Sequence, residues 1–217
     1  MSETPESRRP LASRDTGWAR AAAAGLARTG VSPDAVSAMS MVFAAIGCGL
    51  FLWSGAAEGG SRAAALIGAA VCIQLRLLAN LLDGMVAVEH GRGSHAGPIW
   101  NELPDRFADI LFLAGAGYAA QASGWPCGDI LGWSAAVLAV LTAYLRELGR
   151  GLGLPADFRG PMAKPHRMAA LTATCVVAAL EPIWGWRGQA LLIGLAVILA
   201  GAADERACGA AEGAGLS

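Results

Sequence analysis

The chain carries little charge and few of the side chains that most often do chemistry. Only 15% of its 217 residues are Asp, Glu, Lys or Arg, well under the share typical of soluble domains. It has one lysine, two tyrosines and three histidines. His90, His95 and His166 show no ligand spacing, so metal binding through histidine is not expected. The five cysteines show no metal-type pairing either. Three of them, Cys48, Cys72 and Cys175, fall inside apolar runs, where cysteine behaves as a small hydrophobe. There is no P-loop, no nucleophile elbow and no zinc-protease helix. These absences exclude a disulfide scaffold, a structural zinc site and the common nucleotide-hydrolysing and serine-hydrolase signatures.

What the chain has instead is long apolar sequence. Its residues are 55% hydrophobic and its mean hydropathy is +0.48. Six stretches approach the ~20 apolar residues a spanning helix needs: Val36–Gly55, Ala63–Leu82, Phe107–Ala122, Ile130–Leu145, Met168–Trp184 and Gln189–Ala203. Six such runs would be hard to hide in a soluble bundle of this size. Several are rich in Ala and Gly, as in Leu113-Ala-Gly-Ala-Gly-Tyr118, and small residues let helix backbones approach closely in lipid. The expectation is an all-α membrane protein, a six-transmembrane-helix bundle.

Charge is distributed by side. With the N-terminus in the cytoplasm, the inside segments hold Arg8, Arg9, Arg14, Arg20, Arg28, Arg92, Arg106 and the basic residues between Arg146 and Arg167. The outside loops then hold only Arg62 and Arg187. This asymmetry predicts a multi-pass protein of the cytoplasmic (inner) membrane with both termini cytoplasmic. Trp53, Trp125, Trp184 and Trp186 fall at the outer boundary, with Trp133 nearby, as an interfacial belt would. The net charge of −1 is therefore uninformative about partners, and no nucleic-acid partner is expected. Residues 1–16 are polar and expected to be disordered. The stretch Trp18–Arg28 is too short to span; it fits an N-terminal cytoplasmic surface helix, with an ordinary soluble cap helix as the open alternative. A membrane domain over 17–206 and a C-terminal tail over 207–217 complete the predicted organisation.

The remaining charge concentrates at one junction. The second run ends with Arg76, Asn80 and Asp83, whose spacings of four and three put them on one helix face. The third begins with Asn101, Asp105 and Asp109 on one face, edged by Glu102. Ionisable groups at membrane depth are costly and mark functional sites by default. Two antiparallel helices would bring these stripes together. Converging oxygens would then suit a hard divalent cation such as Mg²⁺ or Mn²⁺, which would draw a phosphate or pyrophosphate. Gly84 and Gly97 would let a flat base or phosphate approach the backbone. The bland alternative is a set of helix-end charges snorkelling to the headgroups, and it is the better account of Glu89 and Arg92.

The spacing resembles the signature of the CDP-alcohol phosphatidyltransferase family, Asp-x2-Asp-Gly-x2-Ala-Arg-x8-Gly-x3-Asp-x3-Asp. It falls here on Asn80, Asp83, Gly84, Ala87, Val88, Gly97, Asn101 and Asp105, where all spacings hold and five of the eight positions agree. The segment Pro33-Asp34-Ala-Val-Ser37 is similar to the family's Pro-Asn-x-x-Thr at the start of its first membrane helix. The resemblance covers roughly Trp18 to Arg206 and implies six membrane helices with the site on the cytoplasmic side. It also implies a reaction: a substituted phosphate passes from a CDP-linked lipid, usually CDP-diacylglycerol, to an alcohol acceptor, with release of CMP, in phospholipid biosynthesis. By the same resemblance Asp105 is the general base. Asp83, Asn80 and Asn101 occupy the metal-ligand positions, and Gly84, Ala87 and Gly97 line the nucleotide pocket. Asn80 and Asn101 replace two carboxylates and Val88 replaces an arginine. Glu102 and Asp109, on the same helix, could compensate the lost charge, Glu102 as a metal ligand. A homodimer embedded in membrane lipids is also implied.

A second basic cluster, Arg146 at the end of the fourth run with Lys164 and Arg167 before the fifth, resembles the family's basic segments there, and the resemblance implies that it holds acceptor phosphate; plain positive-inside bias is the alternative. Two other readings compete. One is a catalytically degenerate protein that binds CDP-lipid without turnover. The other is a small transporter, against which no broken-helix pair or inverted repeat is visible.

Overall fold

The computed structural model describes residues 17–28, 33–89, 97–151 and 164–213, and every regular element among them is helical. Helix α1 covers Gly17–Arg28, α2 Pro33–Ala56, α3 Gly59–Glu89, α4 Gly97–Ala122, α5 Gly128–Gly151, α6 Lys164–Leu180 and α7 Gln189–Gly213. A 3-10 turn, Glu181–Trp184, follows α6. The expected tail over 1–16 lies outside the described residues. At the other end α7 continues to Gly213, past the residue where the membrane domain was expected to stop.

Local chemistry accounts for the breaks. Pro33 opens α2, where its missing N–H costs nothing. The 3-10 turn ends on Gly185 in the left-handed region (φ 69°), a conformation glycine adopts without steric cost.

Among the described residues four segments are long and apolar enough to cross a membrane: Ala35–Ala56, Gly59–Val86, Gly128–Gly149 and Lys164–Trp184. The apolar part of α7, Gln189–Asp204, is shorter. Helix α4 falls short because Glu102, Asp105, Arg106 and Asp109 crowd its first half. The outer surface is what a bilayer solvates. Met39, Ile46, Leu52, Val71, Val137 and Val197 are all about half exposed, and the chain is a multi-pass membrane protein of all-α fold.

The bundle is held by close helix crossings. Helix α2 packs along both α3 and α4; α4 also packs on α5, α3 on α6, and α7 on α5 and α6. Where α4 crosses α5, a Cβ on Gly132 would lie 2.7 Å from the Leu113 carbonyl oxygen and 2.8 Å from the Gly117 Cα. Only glycine permits that approach, the mechanism expected for small residues in lipid. Phe51, Leu66, Ile73, Phe112, Leu171 and Leu191 fill the core between the helices.

One expectation about the packing is corrected. Helices α3 and α4 touch each other at only a few points, because α2 lies against both of them. Their polar stripes face each other and meet through side chains, Asn80 and Arg76 of α3 on Asp105 of α4.

The two ends of the bundle differ in chemistry. At one end the loops gather Trp53, Trp125, Trp184 and Trp186, with the Trp125 Nε1 donating to the Arg187 carbonyl at 3.0 Å. Arg62, expected in an outer loop, is instead buried inside α3 at this end, 4% exposed. Its guanidinium bonds Glu181 Oε2 at 3.1 Å, the Ser54 carbonyl at 2.8 Å and Ser123 Oγ at 3.0 Å. Glu181 in turn accepts the backbone N–H groups of Gly188 and Ala190, both at 2.7 Å, and so stitches the start of α7 to α3.

Candidate active site

At the opposite end the stripes of α3 and α4 meet residues from α2 and α6. Arg76, Asn80 and Asp83 lie on one face of α3; Asp105 and Asp109 lie one turn apart on α4. Ser37 comes from the first turn of α2, and Lys164 and Arg167 from the first turn of α6.

Arg76 is fully buried and crosses the gap. Its Nη2 lies 3.0 Å from Asp105 Oδ1, 3.1 Å from Asp109 Oδ1 and 3.1 Å from the Asp105 carbonyl oxygen. Asp109, also fully buried, accepts on its second oxygen from Arg167 Nη2 at 2.7 Å. Asp105 accepts from the Asn80 amide on Oδ1 and from the Lys164 ammonium on Oδ2. Asp105 precedes the apolar part of α4. Burial pushes its carboxyl up, but Lys164 and Arg76 outweigh that and hold it at about 2. Asp83 Oδ2 accepts from Ser37 Oγ at 2.5 Å, while Asp83 Oδ1, Arg76 Nε and Arg76 Nη1 are buried with no hydrogen-bond partner among the described residues.

The charges of these groups cancel: Asp83, Asp105 and Asp109 stand against Arg76, Lys164 and Arg167. Cancellation is what allows burial. A buried charge stripped of its partner is left uncompensated at a cost of about 3–5 kcal/mol.

Asp83, Asn80, Asp105 and Lys164 are thus brought together. Arg167 joins them from behind, turned into the bundle on Asp109. Gly84 follows Asp83 and is half-buried, and Arg146 is partly buried on α5. Ala87, Gly97 and Asn101 lie on α3 and α4, but their surroundings fall outside the described residues. Glu102 pairs with Arg106 one turn along its own helix and is a third exposed.

Two members of the cluster, Arg76 and Ser37, were not assigned a role in the site from sequence, and Asp109 only that of compensating lost charge. Arg76 and Asp109 each lie four residues from a motif position on the same face, a signal that was legible. Ser37 ends the Pro33–Ser37 segment, which marked the helix start and not a contact to Asp83.

Among the described residues the cluster holds only part of the expected ligand set: Asp83 and Asn80 lie in it, Glu102 pairs with Arg106, and the surroundings of Asn101 are not described. Among the described residues no three His, Cys, Asp or Glu side chains converge as a metal site. Opposite a carboxylate oxygen the Asn80 side chain must present its NH₂, so its carbonyl oxygen is turned away from Asp105. Both Asp105 oxygens are occupied by cationic or amide donors.

Comparison with known proteins agrees with the fold. No family model matches the chain. A curated relative, the bifunctional IPC transferase and DIPP synthase of Rubrobacter xylanophilus, is 32% identical over 170 residues. The match takes in 76% of this chain and 34% of that protein, so the chain spans about a third of its relative's length. Among solved structures, the phosphatidylinositol phosphate synthase of Mycobacterium tuberculosis with CDP-DAG bound superposes with a TM-score of 0.69 at 22% identity, covering 86% of this chain and 88% of that one. The same synthase in complex with manganese and citrate gives a TM-score of 0.71 at 22% identity, covering 86% and 84%. The chain thus shares its fold with this synthase, and over about a third of that relative's length it shares sequence with a curated transferase and synthase.

Proposed function

We propose that the chain is an integral membrane transferase that moves a phosphatidyl or similarly substituted phosphate group from a CDP-linked lipid to an alcohol acceptor, with release of CMP. The observation that carries this reading is the placement of Asp83 and Asp105 on facing helices, at the motif spacing, in a fold shared with a synthase that binds CDP-DAG. In this reading the acceptor oxygen forms the new phosphoester bond as the bond to CMP breaks. Asp105 takes the acceptor's proton, which requires Lys164 to leave it. Lys164, Arg146 and Arg167 supply the positive charge around the phosphates, and Gly84, Ala87 and Gly97 line the nucleotide side.

The finer topology belongs to the same proposal. Helices α2 to α7 make six spans, α1 lies on the cytoplasmic face, and the active site faces the cytoplasm from the inner membrane. The positive-inside bias and the gathering of four tryptophans at the opposite end support that orientation. A homodimer is part of the reading through family resemblance alone.

The test is CMP release from CDP-diacylglycerol by purified protein with Mg²⁺ or Mn²⁺, screened across alcohol acceptors. Turnover is expected to fall by about 10²-fold or more in Asp105→Asn, and to be lost in Asp83→Asn. Wild-type turnover that both substitutions leave intact overturns the assignment of roles. The second reading, a CDP-lipid-binding protein without turnover, is favoured by the two asparagines in the motif and by the saturated Asp105. It predicts saturable CDP-lipid binding and no CMP with any acceptor.

A further inference from the structure

The cluster holds part of the expected ligand set together with a lysine. We propose that Lys164 is the built-in cation of this site: its ammonium, held on Asp105, supplies next to the metal-ligand position Asp83 positive charge that would otherwise come from a divalent ion. Asp83 is then left as the carboxylate open to such an ion. The inference rests on reading the cluster as the active site, but its test measures cation binding and lysine chemistry, not turnover.

Four observations converge on Lys164. It is the chain's single lysine, and its ammonium is bonded directly to Asp105 Oδ2. It stands at the first residue of α6, followed by Pro165. The positive end of a helix dipole disfavours a cation there, so the lysine needs a compensating anion; Asp105, from a different helix, is that anion. Next, the other Asp105 oxygen is filled by Asn80 and Arg76. An aspartate at position 80 could not donate to it and would set two carboxylates face to face. Asn80 and Lys164 therefore work as a pair: the amide removes one negative charge and the ammonium neutralises another. Finally, three carboxylates already balance three cations, with no metal needed for neutrality.

Affinity for a hard divalent cation follows the number of anionic ligands. Two carboxylates facing Lys164 and Arg76 make a weak site, and removing the ammonium should strengthen it. Asp83 Oδ1, buried and without a hydrogen-bond partner among the described residues, is the point where a cation would first bind.

The experiment titrates Mn²⁺ into the full chain in detergent micelles and follows free Mn²⁺ by electron paramagnetic resonance. Lys164→Met should bind Mn²⁺ at least about tenfold more tightly than wild type, a modest share of the interaction between unit charges at this separation. Lys164→Arg, which keeps the charge, should stay close to wild type. A Lys164→Met protein that binds Mn²⁺ no more tightly overturns the proposal. Should that variant not fold, acylation of the single lysine, read by peptide mass spectrometry, tests the same pairing. Lys164 should react several-fold faster in Asp105→Asn than in wild type, and equal rates overturn the proposal. Failure of CMP release would instead strike the proposed function, since neither measurement uses substrate.

Discussion

Both ends of the bundle bury ions, but they do so differently. At the tryptophan-rich end Glu181 uses both oxygens, on Arg62 and on two backbone N–H groups of the α7 start, and Arg62 also reaches a backbone carbonyl and a serine. Every side-chain nitrogen and oxygen of that pair that is buried has a partner. At the other end Arg76 buries two nitrogens and Asp83 one oxygen that have none. A satisfied buried network ties chain segments together. One with unpaired buried atoms is held in place by its surroundings and retains binding capacity. The comparison separates a fully partnered ion pair from a partly unpartnered cluster more sharply than burial does, because the residues at both ends are almost equally buried.

The sharpest way to break the comparison is to remove one charge at each end. Glu181→Gln and Arg76→Met should each destabilise the folded protein by about 3–5 kcal/mol, since each leaves a buried partner uncompensated. They should part in function. Folded Glu181→Gln protein should keep CMP release, whereas Arg76→Met should lose it with the Asp105 anchor; thermal unfolding in detergent and the CMP assay on the folded fraction check both. Equal loss of activity would mean that the tryptophan-rich end also serves the site.

A smaller effect is expected from packing alone. Gly132→Val drives a side chain into the Leu113 carbonyl and Gly117, with no change of charge. It should cost about 1–3 kcal/mol in unfolding measurements, the range for an overpacked core. The smallest effect should come from the exposed Glu58–Arg187 pair, 2.9 Å apart. Glu58→Gln there should change stability by no more than about 1 kcal/mol, showing that burial, not the presence of an ion pair, gives the Arg62–Glu181 contact its value.

Much of the fold was legible in the sequence for local reasons. Apolar run length located α2, α3, α5, α6 and α7, and each of these helices contains its predicted run except α6, whose run Met168–Trp184 continues into the 3-10 turn. The stripes Arg76/Asn80/Asp83 and Asp105/Asp109 followed from the helical repeat. The site was legible in part. Asp83 and Asp105 do come together, and Lys164 does sit with them. The roles of Asn80 and Glu102 were not legible, because an asparagine can offer its oxygen or its NH₂ and a glutamate can turn along its helix. In each case the neighbour decides: Asp105 facing Asn80 selects the NH₂, and Arg106 one turn away takes Glu102.

The sequence by itself determined that this is a helical membrane protein with its polar residues gathered at a junction, because run length and a 3.6-residue period are properties of each segment alone. Tertiary structure alone decided that α2 lies against both α3 and α4, that Arg62 is buried on Glu181, and that Lys164 crosses from α6 to Asp105. Those outcomes depend on which helices approach closely through small residues, and on which charge, far away in the chain, is near enough to compensate a buried one.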